Sequence, residues 1–301
     1  MNESEFLQCM ELADQELAQR QMPIHGRTFH AFRLLAPNYA GPLLGHSVKL
    51  EEYPELVGPK LLKKIDDWYK ERYGVRACMP VVVGRIPVLL RREIYLIRIP
   101  RVYGEPEIKI LPLIEDLAPG LTKSLSPYER DCIRNIFSMG YALVYEMDDL
   151  EQFFRGPLAQ GVSADAVQMA KSAKEDRDTI ARCLSGQLDT NNACFHAQQH
   201  AEKMLKAFLL AKTIYTAQQL RGKPFGHNLH AIFEACVQSS AIFLHIVTDV
   251  GLLNNIAMDI RYSIPKVTPE MAVETCWAAL RIGGLCASQI SGFKRRYTPS
   301  C

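Results

Sequence analysis

The stretch that decides the fold is "CFHAQQHAEKMLKAFLLA", residues 194–211. Apolar residues recur along it at steps of three and four, as one face of an α-helix requires. They are Cys194, Ala197, Ala201, Met204, Leu205, Phe208 and Ala211. A stripe of this kind predicts an amphipathic helix whose apolar face packs in a helical bundle.

A polar stripe runs along the same stretch. His196, Gln199, Lys203 and Lys206 fall at i, i+3, i+7 and i+10, so they lie on one side of the predicted helix. Two permanent positive charges on such a stripe are suited to gripping a phosphate group. The same pattern is also typical of a solvated helix face on which Glu202 and Lys206 form an ordinary i,i+4 ion pair. Periodicity alone leaves both interpretations open.

The chain after residue 162 has helical periodicity throughout. We expect a helix over 164–185, the quoted helix continuing to about residue 219, a third from about 227 with a break, and a fourth over 268–290. Short connections between four helices predict an all-α bundle over residues 163–292. The Gly-Pro pair at 156–157 indicates a linker at 151–162, and residues 293–301 form a short basic tail.

Residues 1–150 have a different residue pattern, which predicts a mixed α+β domain of unknown role. Helical patterns cover residues 4–21 and 59–74, with a loop-like segment between them to about residue 58. Residues 76–114 are rich in Val, Ile and Leu and punctuated by Pro and Gly, which predicts two to four short strands. Ser126, Pro127 and Glu129 form a capping-box signature that starts a helix running to about residue 148.

The quoted stretch also resembles the signature helix of the HEPN family, whose typical wording is close to "FHAQQAAEKALKA". Here it reads "FHAQQHAEKMLKA" over 195–207, followed by His227-Asn228-Leu229 in place of the family's "H-x-L". Residues 259–280 are similar to the family's last segment, although Ser263-Ile264 interrupts its "RYP" motif. The resemblance covers about residues 162–292, and His200 replaces a residue that is usually small. Residues 1–150 resemble no family.

The resemblance implies a four- to five-helix up-and-down bundle, usually dimeric, that handles a nucleotide or RNA. Many such domains belong to prokaryotic defence or toxin–antitoxin systems, some beside a nucleotidyltransferase or antitoxin partner. The expected ligand site combines the polar stripe with two residues before the last helix, Arg261 and Tyr262, which could bind a phosphate and stack on a base. A loop arginine in a surface ion pair is the other interpretation of Arg261.

A catalytic alternative rests on Arg221 and His227, which are separated by the five residues "GKPFG". The nuclease subset of the family carries an Arg-x4-6-His motif, in which histidine acts as base and arginine holds the scissile phosphate. In that subset the motif lies on or just before the last helix, whereas here it precedes the third. A histidine at a helix start can also simply cap or pack. A third hypothesis is a pure protein-interaction module.

The composition and the absence of several motifs argue against other classes of function. The formal net charge of +2 creates no global basic field. The chain lacks GxGxxG, GxxxxGK[ST], HExxH and GxSxG motifs, and its nine cysteines include no CxxC pair, so we expect neither cofactor nor metal. His196 and His200 have the i,i+4 spacing of a zinc pair but no glutamate between them. Without a long apolar run or a signal-peptide pattern, the sequence predicts a cytoplasmic protein away from membranes.

Overall fold

The chain folds into two units in the computed structural model. The structure describes residues 3–20, 22, 24–35, 59–74, 77, 81–101, 108–156, 159–186, 188–261 and 267–292. Contacts divide the chain into Met1–Val81 and Val82–Cys301, each with a hydrophobic core of its own. The structure is mostly helical with one small sheet before the C-terminal helices, which confirms the predicted fold class.

The N-terminal unit contains helices α1 (Glu3–Gln19), α2 (Ile24–Leu35) and α3 (Pro59–Tyr73). Their apolar faces form a core that includes Phe6, Met10, Leu17, Ile65 and Tyr69. A buried carboxylate joins the three helices. Asp14 of α1 accepts hydrogen bonds from Nη1 of Arg27 on α2, at 2.9 Å, and from the hydroxyl of Tyr73 on α3.

Helix α2 corrects the sequence-based expectation of a loop from residue 22 to 58. Gly26 and several polar residues hide its periodicity, because glycine disfavours a helix interior by about 1 kcal/mol relative to alanine. In the structure Ala31 and Leu35 are buried in the core of this unit. Burial of these residues and the Arg27–Asp14 ion pair therefore override the weak local propensity.

The second unit begins with a β-hairpin of β1 (Val82–Leu90) and β2 (Glu93–Pro100), paired antiparallel. The two turn residues, Arg91 and Arg92, have positive φ angles of 51° and 71°. Each strand of a two-stranded sheet has a free edge, so Pro87 can lie inside β1 without breaking a central ladder. A bridge between Ile97 and Ile114 extends the pairing, within the predicted range of two to four strands.

A long helix packs directly on this hairpin. After the short α4 (Pro119–Ser124), α5 runs from Pro127 to Arg155 and begins at the predicted capping box of Ser126 and Glu129. Two glycines allow the close approach. A Cβ atom at Gly140 of α5 would clash with the side chain of Ile86, and one at Gly84 of β1 would lie 2.7 Å from Cγ1 of Val144.

The C-terminal helices follow the predicted order. They are α6 (Ala164–Leu184), α7 (Thr190–Ala211), α8 (Ala217–Arg221), α9 (Leu229–Ser239), α10 (Val247–Arg261) and α11 (Pro269–Ser291). The break expected in the third helix is confirmed by a 3-10 turn, Ala241–Ile246, between α9 and α10. The quoted helix is shorter than predicted. It ends at Ala211, near Thr213, whose φ of 55° is incompatible with continuing the helix.

The hairpin, α5 and the C-terminal helices share one core. Trp277 of α11 is buried, and its Nε1 donates to the carbonyl oxygen of Pro87 in β1 at 3.1 Å. Tyr145 of α5 donates to the carbonyl oxygen of Pro100 at 2.9 Å. The division after Val81 lies well before the linker predicted at 151–162, since residues on both sides of that segment pack together. Among the described residues, no helix has the length and apolar character needed to cross a membrane.

Candidate functional site

The polar stripe of α7 makes its first set of contacts with α6. The carboxylate of Asp176 accepts a hydrogen bond from Nδ1 of His196 at 2.9 Å and pairs with Nζ of Lys203 at 2.5 Å. Asp176 is buried, whereas about a quarter of the His196 and Lys203 side chains is exposed. His196 and Lys203 therefore lie at the solvent-exposed edge of the contact between α6 and α7.

A second polar group is centred on Glu202, one turn before Lys206. The carboxylate of Glu202 pairs with Nζ of Lys206 at 2.8 Å and accepts a long hydrogen bond from Nε2 of Gln198 at 3.4 Å. All three side chains are buried. Gln198 in turn accepts from Nε2 of Gln199 at 2.7 Å, so the network continues toward the partly exposed side of the helix.

This network holds a histidine at the surface. Nδ1 of His227 lies 3.2 Å from Oε1 of Glu202, and Lys206 donates to the carbonyl oxygen of the preceding residue, Gly226, at 2.5 Å. Asn228 is the N-cap of α9, so His227 lies outside that helix and its side chain can reach back to α7. The His227 side chain is 72% exposed and that of Glu202 is 4% exposed. The carboxylate thus orients an imidazole whose other edge faces away from it.

His200, the unusual residue of the signature, points to a different flank. It is 1% exposed, and its Nδ1 donates to the carbonyl oxygen of Ala173 at 2.8 Å. Its Nε2 is buried without a hydrogen-bond partner and lies close to Gly283 of α11. Burial lowers the pKa of His200 to about 4, so the ring is neutral near pH 7. His200 is therefore a packing histidine rather than a member of the lysine stripe.

The lysines of the stripe match neither of the two interpretations that the sequence left open. Lys203 and Lys206 are each paired with a carboxylate, and the Glu202–Lys206 pair is buried rather than solvated. The stripe is thus neither a freely charged phosphate grip nor an ordinary surface face. His196, Gln199 and Lys203 remain partly exposed on α7, close in sequence to the buried network.

The two residues of the catalytic hypothesis, Arg221 and His227, lie on either side of a short loop. Arg221 is exposed at the end of α8, and His227 follows it after a loop that Phe225 anchors against Tyr215. Both belong to the described range 188–261, and no hydrogen bond joins their side chains. Arg261 ends α10, but its side chain lies outside the described residues, as does all of Tyr262.

Sequence reasoning missed the acids that organise the site. Asp176 follows Ala173 and precedes Ile180 in the buried register of α6, so a charged residue inside an apolar stripe was the available signal. For Glu202, local spacing predicts no more than a solvated ion pair, because it says nothing about a neighbouring loop. Within the part of the chain that the structure describes, no cluster of three or more His, Cys, Asp or Glu residues could hold a metal ion.

Comparison with known proteins finds a similarity for part of the chain. Residues 166–282 match the family model of the HEPN domain, which confirms the resemblance of the C-terminal part. The matched segment runs from α6 into α11 and includes the whole of α7 and its polar network. No curated protein and no solved structure gives a significant match to the chain. The match supports a function related to nucleotides or RNA in general terms.

Proposed function

We propose that the HEPN bundle binds a nucleotide or RNA at the surface formed by His227 and the exposed part of the α7 stripe, with His196, Gln199 and Lys203 as ligand contacts. The observation that carries the proposal is the orientation of His227 by the buried carboxylate of Glu202. A surface histidine held in this way offers a directional hydrogen bond to a base or a phosphate.

The energetic cost of the network supports a functional role. Removing both Glu202 and Lys206 from water costs several kcal/mol per ion before their mutual attraction is counted. A hydrophobic pair of similar volume would often be at least as stable at the same position. Two buried ions are therefore a poor way to stabilise a bundle, but a good way to fix the positions of Gly226 and His227 next to α7.

The charge balance indicates how a ligand would be recognised. Asp176 compensates Lys203, and Glu202 compensates Lys206, so these lysines leave the site with little net positive charge. A phosphate group would share Lys203 with Asp176 rather than meet a free ammonium group. We therefore expect specific hydrogen bonds from histidine and glutamine, rather than a general electrostatic field, to supply most of the selectivity.

The binding experiment compares two neighbouring histidines. Fluorescence anisotropy with a labelled single-stranded RNA and thermal shifts with ATP and GTP are measured for the wild type, His227→Ala and His230→Ala. His230 is also exposed but lies 3.9 Å from Glu234, away from the Glu202 network. Loss of a positioned hydrogen bond should weaken binding about tenfold in His227→Ala and leave His230→Ala near the wild type. Equal affinity of all three proteins, or no binding by the wild type, would refute the proposal.

A second candidate function is a metal-independent endoribonuclease. The Glu202–His227 pair has the arrangement of a carboxylate that orients a general base, with the distal edge of the imidazole at the surface. In this mechanism His227 would take the proton of a ribose 2′-hydroxyl, and Arg221 would stabilise the phosphate. Cleavage of total RNA by the wild type, abolished in His227→Ala and in Arg221→Ala, supports this candidate. Cleavage that persists in His227→Ala excludes it.

The family resemblance also suggests a setting for the binding site. We propose a cytoplasmic homodimer in a prokaryotic defence or toxin–antitoxin pair, with a nucleotidyltransferase or antitoxin as partner. Arg261 and Tyr262, just before the last helix, would then complete the ligand site. The N-terminal unit would add substrate or partner specificity. Native mass spectrometry at twice the chain mass, and co-purification with the product of the adjacent gene, test these assignments. A monomer with no such partner would favour a solitary binding protein.

A further inference from the structure

A cavity of about 430 Å³ lies between α5 and α6, on the other side of α6 from the stripe contacts. It exists because α5 packs mainly on α11 and β1, while α6 packs mainly on α7. The two helices are joined across it by an ion pair between Glu151 and Lys174 at 2.6 Å. Its volume falls in the range of cavities that hold small organic molecules, about 300–1,000 Å³.

Much of the cavity lining is apolar. It includes Met147, Leu150 and Phe154 of α5, Val167 and Ala170 of α6, and Met204 of α7. Displacement of water from an apolar surface by an apolar ligand is favourable, so this lining favours binding of an apolar group. Helix α5 lies outside the segment that matches the HEPN family, so this cavity is made by a helix that the domain match does not include.

Arg177 lines the cavity and is short of hydrogen-bond acceptors. Its side chain is 7% exposed. A guanidinium has five N–H donors. Here Nη2 donates to the carbonyl oxygen of Val83 at 3.2 Å, Nη1 makes a weak contact with Sδ of Met147 at 3.8 Å, and Nε has no hydrogen-bond partner. Asp178 is the nearest carboxylate partner, but it lies 3.8 Å from Nε and is half exposed.

The other charged groups around the cavity are largely engaged with one another. Glu151 pairs with Lys174 and with Arg155. Lys171 and Glu175 add one charge of each sign at the exposed edge. Four basic and three acidic side chains line the cavity, so the excess charge is positive. Burial also lowers the pKa of Arg177, the direction expected for a cation that lacks a close counterion.

We propose that this cavity binds a small organic anion, whose apolar body lies between α5 and α6 and whose oxyanion accepts hydrogen bonds from Arg177. A carboxylate or a phosphate monoester on a chain of about eight carbons has this chemistry. The site is separate from the nucleotide surface and does not depend on it.

The binding test uses four probes on the full chain. Isothermal titration calorimetry and thermal shifts are measured with octanoate, octyl phosphate, 1-octanol and inorganic phosphate. We expect octanoate or octyl phosphate to bind about tenfold or more tightly than the neutral alcohol or the bare anion, because only the first two satisfy both parts of the cavity. The stronger of the two identifies the head group. No binding of either amphiphilic anion would overturn the proposal.

Variants then locate the bound anion. Arg177→Met should weaken binding of the amphiphilic anion at least about tenfold, whereas Arg182→Met, an exposed arginine on the same helix, should not change it. Ala170→Phe fills the cavity without removing a charge and should also abolish binding, which keeps the test decisive if Arg177→Met fails to fold. Unchanged affinity in a folded Arg177→Met protein, or in Ala170→Phe, would show that the ligand binds elsewhere.

Discussion

Glu202 and His227 are twenty-five positions apart in sequence, yet Nδ1 of His227 donates to the Glu202 carboxylate across 3.2 Å. The same carboxylate holds Lys206, so one buried charge fixes both an ammonium group and an exposed imidazole. Contact of this kind requires the loop before α9 to fold back on α7. The signature of this bundle is therefore a tertiary arrangement as much as a helical pattern.

The first prediction concerns the buried pair of Glu202 and Lys206. Glu202→Gln leaves the buried Lys206 ammonium without its counterion and should destabilise the protein by about 3 kcal/mol. A double-mutant cycle with Lys206→Met, measured by urea unfolding, should give a coupling energy well above that of the exposed Asp131–Arg134 pair. The exposed pair should contribute about 0.5 kcal/mol or less. Equal coupling energies for the two pairs would mean that burial has no part in the network.

The second prediction concerns the pH dependence of stability through His200. Burial lowers its pKa to about 4 in the folded protein, against 6.5 for an unperturbed histidine. The unfolded chain therefore binds more protons between these values, and stability falls as the pH is lowered from 6.5 to 4. Linkage puts the loss at up to about 3 kcal/mol. The melting temperature of His200→Gln should fall less steeply than that of the wild type over this range, and parallel slopes would contradict the assignment.

The third prediction concerns the space that Gly283 leaves for His200. A Cβ atom at Gly283 would lie 2.5 Å from Nε2 of His200 and 2.8 Å from Sδ of Met147, so Gly283→Ala should destabilise the protein by about 1–3 kcal/mol. Gly251 in α10 is the matched control, since a Cβ atom added there would meet nothing within 4 Å. Gly251→Ala should instead stabilise by up to about 1 kcal/mol through helix propensity. Thermal unfolding of both variants measures the difference, and a change of the same sign in both would refute the steric argument.

The fourth prediction concerns Asp14 in the N-terminal unit. Asp14→Ala leaves the partly buried donors of Arg27 and Tyr73 without this acceptor, so the three helices should open more often. We expect amide exchange in Glu3–Gln19 to speed up about tenfold or more, since each 1.4 kcal/mol is a factor of ten. Glu16→Ala removes an exposed ion pair with Arg20 on the same helix and is the control. Similar exchange rates in the two variants would show that Asp14 is not a structural centre.

Several helix boundaries could be predicted from local sequence alone. Ser126, Ser163 and Thr268 cap the helices that were predicted to begin beside them, because a capping hydrogen bond depends on residues three positions apart. The apolar stripe of residues 194–211 is buried as its period requires. Helix α2 escaped prediction because its stability comes from a salt bridge to α1 and from burial, which a local pattern does not record.

The candidate site contains features that could not be predicted from the sequence. From the sequence alone follow the bundle, its signature helix and a stripe with two lysines and a histidine. The partner of Lys203 is Asp176 on α6, which the stripe does not contain, and only the fold of the loop before α9 brings His227 to Glu202 of α7. Likewise Arg177 is one more basic residue in the sequence, and only the gap between α5 and α6 makes it a buried cation without a close counterion. Periodicity places a side chain on a face of its helix, but its charge state and solvation are decided by the elements that fold against that face.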